Sequence, residues 1–228
     1  SGSLPAWTGR TWAEASGEAV MRLLAEKIRP RDIVTRKSLE NAARVVAAYH
    51  HLIMDIPRHS QPGWDILFRI LDAEDSFFER FRVPTEQNVI RFLVADPDEG
   101  TSIPYAIHAA RENARTTRDV LPEEVWELVN ELHLYLREHA EKSVGRRNRQ
   151  ACMQEVVDRC QLINGVLRST LRRDHVYRFI KMGQLLERAD MTTRIIDVGA
   201  EDILDREGSG LALEHLLWGT LLKSLSAL

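Results

Sequence analysis

Residues 174–198 read DHVYRFIKMGQLLERADMTTRIIDV. On a helical wheel of about 100° per residue, Lys181, Gln184, Arg188 and Thr192 gather in one narrow arc, expected to be the solvated face. Val176, Phe179, Ile180, Met182, Gly183, Leu186, Ala189 and Met191 fill most of the remainder. A strand would alternate polar and apolar positions instead. No run here or elsewhere in the 228 residues does so for long, which predicts an all-α chain.

The same wheel places Glu187 inside the apolar arc, with Asp190 and Arg194 on that side and Arg188 turned to water. A carboxylate on a packing face costs several kcal/mol unless it is paired or hydrogen-bonded. Arg194 stands four residues after Asp190 and can pair with it readily, and with Glu187 less readily. Two readings follow: an acid/base or ligand-holding cluster, or an internal ion pair that fixes helix register.

Outward from this segment the helical pattern continues. Helices are expected over Ala6–Lys27, Ser38–Ile56, Trp64–Leu71, Glu74–Phe81, from Pro84 to before Asp96, then Ser102–Arg118, Glu123–Glu141, Asn148–Thr170, Asp174–Val198 and Leu211–Ser226. Proline and glycine breaks at Arg29-Pro30-Arg31, Pro57, Asp96-Pro97-Asp98-Glu99-Gly100 and Glu207-Gly208-Ser209-Gly210 separate them. Short connections between long amphipathic helices favour antiparallel neighbours. The expectation is a helical bundle of about eight to ten helices, mostly antiparallel, forming one domain over residues 1–228. Ser1-Gly2-Ser3 reads as a cloning scar.

Ser102–Arg118 carries a stripe of small apolar residues, Ile103, Ala106, Ile107, Ala110, Ala114 and Thr117, against which a neighbour can pack closely. Glu112 falls on a second face with Tyr105, Ala109 and Thr116, while His108, Arg111, Arg115 and Arg118 make a basic side. Arg115 and Arg118 are candidates to reach an acidic neighbour or an anionic ligand.

Composition narrows the function classes. Hydrophobic residues make up 44% and charged residues 29%, an ordinary globular balance, and a net charge of −3 lacks the basic footprint of a nucleic-acid binder. Cys152 and Cys160, eight apart in a helical pattern, are expected to be buried free thiols in a reducing cytoplasm. Residues 210–222 form the most apolar stretch, too short to span a bilayer and interrupted by Glu214 and His215, so no membrane partner is expected.

Phosphate loops, nucleophile elbows and zinc-protease helices are absent. No histidine follows an acid by three residues, so a di-metal bundle site, or any cofactor, is not expected. His50-His51 and the pair His133 and His139 diverge on a helix and read as surface or boundary residues. The five tryptophans are spread over separate segments, as core anchors would be.

A weak repeat links Glu40-Asn41-Ala42, Glu112-Asn113-Ala114 and Glu187-Arg188-Ala189, spaced 72 and 75 residues apart. The words Ala110-Arg111-Glu112-Asn113-Ala114-Arg115 and Gly183-Gln184-Leu185-Leu186-Glu187-Arg188-Ala189-Asp190 carry a family resemblance. So do Phe92-Leu93, Asp96-Pro97, Ser102-Ile103, Trp126-Glu127, Asn130 and Arg194-Ile195-Ile196-Asp197-Val198. Over about residues 36–228 the chain resembles the bacterial alpha-E domain family, all-helical domains named for Glu-Arg helix motifs.

The family's opening motif is degenerate here. Trp7-Thr8-Gly9-Arg10 is followed by Ala13-Glu14-Ala15, and Leu39-Glu40-Asn41-Ala42 lacks the arginine, so residues 4–35 read as a degenerate first helix.

The resemblance implies work beside ATP-grasp ligases of the circularly permuted kind or transglutaminase-like proteins, in peptide modification or amide-bond formation. The leading expectation is a non-catalytic binding or scaffold module for such a partner or its peptide substrate. Glu112, Glu187, Asp190 and Arg194 would be an internal polar cluster, with Arg115 and Arg118 at its rim. The alternatives are an enzyme using Glu187 or Glu112 as general acid/base, and a purely structural domain that forms homo-oligomers.

Overall fold

The computed structural model describes residues 43, 44, 46–48, 50, 63–204 and 211–224. The expected helix over Ala6–Lys27, most of that over Ser38–Ile56, and the motif words before residue 43 lie outside them. Among the described residues every regular element is helical, and residues 43, 44, 46–48 and 50 are helical within the second expected helix.

The first elements are short because turn chemistry punctuates them. Helix α1 (Asp65–Ile70) and α2 (Glu74–Arg80) are separated by Asp72, whose φ of 55° is left-handed. Aspartate adopts that conformation more easily than most side chains. The turn brings Phe77 flat against Phe68, with centroids 4.4 Å apart, and Phe92 edge-on to Phe77 at 5.3 Å. All three rings are fully buried. Each contributes about 1.5–3 kcal/mol by leaving water.

Helix α3 (Glu86–Ile90) starts at Thr85, whose hydroxyl accepts from the Asn88 amide at 3.3 Å. It runs on as one π turn, Arg91–Ala95, ending where the Asp96 amide donates to the Arg91 carbonyl at 3.1 Å. The loop that follows is tied internally. Buried Glu99 accepts from the Thr101 amide at 3.2 Å and hydroxyl at 2.9 Å, and Arg80 pairs with Asp96.

Helix α4 (Ile103–Thr116) is capped by Ser102, whose hydroxyl accepts from Tyr105 N–H at 3.1 Å. It buries Ile103, Ala106, Ile107, Ala110 and Ala114, the stripe expected from spacing. The small alanines let α5 (Glu123–His139) pack closely, burying Val125, Val129, Leu132 and Leu136. A 3₁₀ turn, Glu141–Val144, leads into α6 (Arg146–Thr170), which packs on α5. Helix α7 (His175–Leu204) outruns its expected end, and α8 (Leu211–Ser224) packs back on it. Helix α7 also packs on α1, and Gln184 donates to Asn164 of α6 at 3.1 Å.

The buried face of α7 corrects the wheel. Gly183, Glu187, Met191, Ile195 and Gly199 are buried, an i, i+4 stripe one residue wide. Leu185, Leu186, Ala189 and Ile196 are exposed, Leu186 at 63%. The apolar arc is broad, but the neighbours meet it along one seam, so much of it faces outward.

Candidate functional site

The sequence nominated Glu112, Glu187, Asp190 and Arg194 as one internal cluster, and the structure distributes them differently. Glu187 is buried, 6% exposed, in the α7 stripe. Asp190, expected on the packing side, has a side chain 53% exposed. It sits just off the single buried stripe, where its charge keeps its hydration. Arg194 bonds to Asp190 at 2.9 Å, one turn away, and its other guanidinium nitrogen lies 3.4 Å from Asp72 in the α1–α2 turn. These contacts tie α7 to the left-handed turn.

Glu112 belongs to another neighbourhood. Its two oxygens accept from Arg111 at 2.9 Å and Arg115 at 2.7 Å on its own helix. The Arg115 hydrogen bond, with the charges of Arg115 and Arg111 behind it, holds the Glu112 carboxyl below the ordinary glutamate range. Among the described residues the ion pairs of Glu112 are to Arg111 and Arg115, and those of Arg194 are to Asp190 and Asp72.

What Glu112 does share is the outer seam between α4 and α5. Arg111 reaches across it, donating from Nε to Asn130 at 2.8 Å. Its guanidinium lies 5.4 Å from the Trp126 ring centroid and that of Arg118 lies 4.8 Å away, so the indole carries two cations. His108 and His133 face each other at 5.7 Å. Burial, then the charges of Arg111, His108 and Arg137, push His133 below the ordinary histidine range. Arginines thus lie along this side of the seam, with the Trp126 indole at one end. Arg115 and Arg118, expected at a rim, flank it and are exposed.

One charged centre was missed by the sequence reading. Arg149 on α6 is 1% exposed, the largest fully buried side chain described. Its Nη1 donates to Glu86 Oε1 at 2.9 Å and Nη2 to the Val144 carbonyl at 2.7 Å. Arg146 holds the same carboxylate from outside, with Nε at 2.7 Å from Oε1. Hydrogen bonds from Arg146 and Arg149 keep Glu86 well ionised, below the usual glutamate range. His50, expected at a surface or boundary, is buried here, its Nδ1 3.4 Å from Arg149. The Trp64 ring lies 5.7 Å from the guanidinium. A signal existed: Arg149 continues the stripe of Cys152, Met153, Val156 and Cys160 at helical spacing.

Chemically, Glu112 and Glu86 are guanidinium-bound carboxylates with depressed basicity, poor general bases. Cys152 and Cys160 are free and buried, and burial pushes the Cys152 thiol up, away from a reactive thiolate. A groove of about 400 Å³ on α7, lined by Tyr177, Arg178, Lys181, Met182, Leu185 and Leu186, holds no carboxylate, histidine or thiol. No described helix is long and apolar enough to cross a membrane.

Comparison with known proteins gives short curated matches and one family match. A stretch of 37 residues is 78% identical to part of the dihydroxy-acid dehydratase of Parvibaculum lavamentivorans, covering 16% of this chain and 6% of that protein. Another of 36 residues is 72% identical to part of the dihydroxy-acid dehydratase of Dinoroseobacter shibae, with the same coverage. The chain therefore spans about 6% of the length of these curated relatives. No solved structure matches it. Residues 38–228 match the Alpha-E family, described as a predicted alpha-helical domain with a conserved ER motif. With most of its length inside that match, and every regular element of its described part helical, the chain belongs to the Alpha-E family.

Proposed function

We propose that this chain is a helical docking module that works beside an ATP-grasp-type ligase in peptide modification or amide-bond formation, presenting a partner or peptide rather than transforming it. The observation that carries the reading is the state of its acids. Glu112 and Glu86, two carboxylates placed where chemistry could be imagined, are each neutralised by two arginines. Meanwhile Arg115 and Arg118 are exposed beside the α4–α5 seam, Arg118 lying over the half-buried Trp126 ring. Such a face recognises better than it reacts.

The partner class comes from the family resemblance. The test is co-elution of the chain with a circularly permuted ATP-grasp ligase co-expressed with it, followed by turnover assays on the isolated chain. A complex without turnover by the chain alone supports the reading. No complex at micromolar concentrations, or turnover lost in Glu187→Gln, opposes it. Glu187 is the residue on which an enzymatic reading would rest, as the buried carboxylate of α7.

A further inference from the structure

We infer that the α4–α5 seam is a binding groove for an acidic peptide segment in extended form, with Arg115, Arg118 and Arg137 engaging its carboxylates and Trp126 its apolar portion. This deepens the docking reading above and rests on it for the seam's biological role, but not for its chemistry.

The charge balance is the first support. Arg111, Arg115 and Arg118 of the α4 end and Arg137 of α5 lie along the seam, where Glu112 is paired with Arg111 and Arg115, and Asp119 and Glu123 stand exposed near its Trp126 end. Arg118 and Arg137 have no carboxylate partner among the described residues. Glu131, on the same helix as Trp126, turns the other way and pairs with Arg159 of α6 at 3.7 Å. The field is felt within the seam, since Arg111, His108 and Arg137 all disfavour a proton on His133. His133 Nδ1 is buried and has no hydrogen-bond partner.

Shape is the second support. The cations are strung along a helix pair, not gathered at a point. From Trp126 to Arg137 is eleven residues of helix, about 16 Å at 1.5 Å each. An extended peptide of about five residues spans that distance. A single inorganic anion would leave most of the row unused, whereas carboxylates spaced along a strand would use it. Arginine suits this role because its planar fork takes a carboxylate through two parallel bonds.

The experiment is fluorescence anisotropy with labelled hexaglutamate, hexaglutamine and a short oligothymidylate, on the whole chain and on Arg118→Glu and Arg115→Glu. Both substituted side chains are exposed, so the helical circular dichroism should be retained, and the lost Arg115–Glu112 pair and Arg118–Trp126 contact should lower the melting temperature by only a few degrees. Hexaglutamate should bind and hexaglutamine should not. Each charge reversal should weaken binding by about tenfold or more. Binding should also fall as salt shortens the Debye length from about 10 Å to about 3 Å. Trp126→Ala should weaken it with little change in its salt dependence.

Failure of hexaglutamate to bind, or binding indifferent to both reversals, overturns the inference. Oligothymidylate binding more tightly than hexaglutamate overturns the peptide assignment. The two proposals separate cleanly. A ligase complex that forms with wild type and both variants, with no peptide binding, leaves the docking reading and removes this one. Peptide binding without any ligase complex does the reverse.

Discussion

Arg149 Nη1 lies 2.9 Å from Glu86 Oε1, joining helices whose contact residues are 63 positions apart. The guanidinium is sealed from water, so its charge is tolerable only while Glu86 and the Val144 carbonyl answer it. Glu86→Ala should therefore cost about 3 kcal/mol in urea unfolding, because it strands a buried cation. Arg149→Met should cost less, since it removes the charge and keeps much of the volume.

The same pair predicts a pH dependence. Glu86 is held below its ordinary value in the folded chain, so the folded state binds its proton less readily than the unfolded state. Its stabilisation is complete above the unfolded value near 4.3 and is lost as pH falls through the lower folded value. Thermal melts of wild type and Glu86→Gln should differ fully at pH 7 and converge in the acid range. A gap that widens on acidification would contradict this.

His133 gives a second titration, in the opposite charge sense. Burial and neighbouring cations keep it neutral, so its midpoint by proton NMR should lie below the usual value of about 6.5. The unfolded chain takes the proton first, and this contribution to stability should decline as pH drops through that window. Removing a cation with Arg111→Met should raise the midpoint, and so should an anion seated on the seam.

Neighbours on α7 should behave unlike one another. Met191 is buried and Leu186 is 63% exposed. Met191→Ala should cost about 2–5 kcal/mol and Leu186→Ala under about 0.5 kcal/mol. Equal costs would refute the one-residue-wide buried stripe.

Thiol reactivity offers a further check. Cys152 and Cys160 are buried on α6, and burial raises the Cys152 pKa. Both should resist a thiol reagent in the native chain and react promptly in denaturant. Tyr135, against the same cysteine, has its phenol pushed up to about 12 by burial, and should ionise late in an ultraviolet titration.

Helix placement was legible because proline, glycine and capping residues mark ends locally. Ser102, Thr85 and the acids at Glu123 and Glu124 open helices where spacing predicted. The apolar stripe of α4 was legible too, because its neighbour follows immediately in sequence. Long-range pairing was not. Asp72 meets Arg194, Glu86 meets Arg149 and His50 enters the core through contacts between distant segments, which no single-helix periodicity encodes. For α7, the wheel identified Glu187 as buried but overestimated how much of its apolar arc the bundle covers.

The central claim, that the α4–α5 seam is a docking face, is tested most directly by hydroxyl-radical footprinting of the chain alone and in complex with the ligase. Trp126 reports on the seam and Trp218, exposed on α8, serves as the internal reference. The account predicts that oxidation of Trp126 falls several-fold in the complex while Trp218 is unaffected. Equal oxidation of Trp126 in the free and bound chain would contradict it.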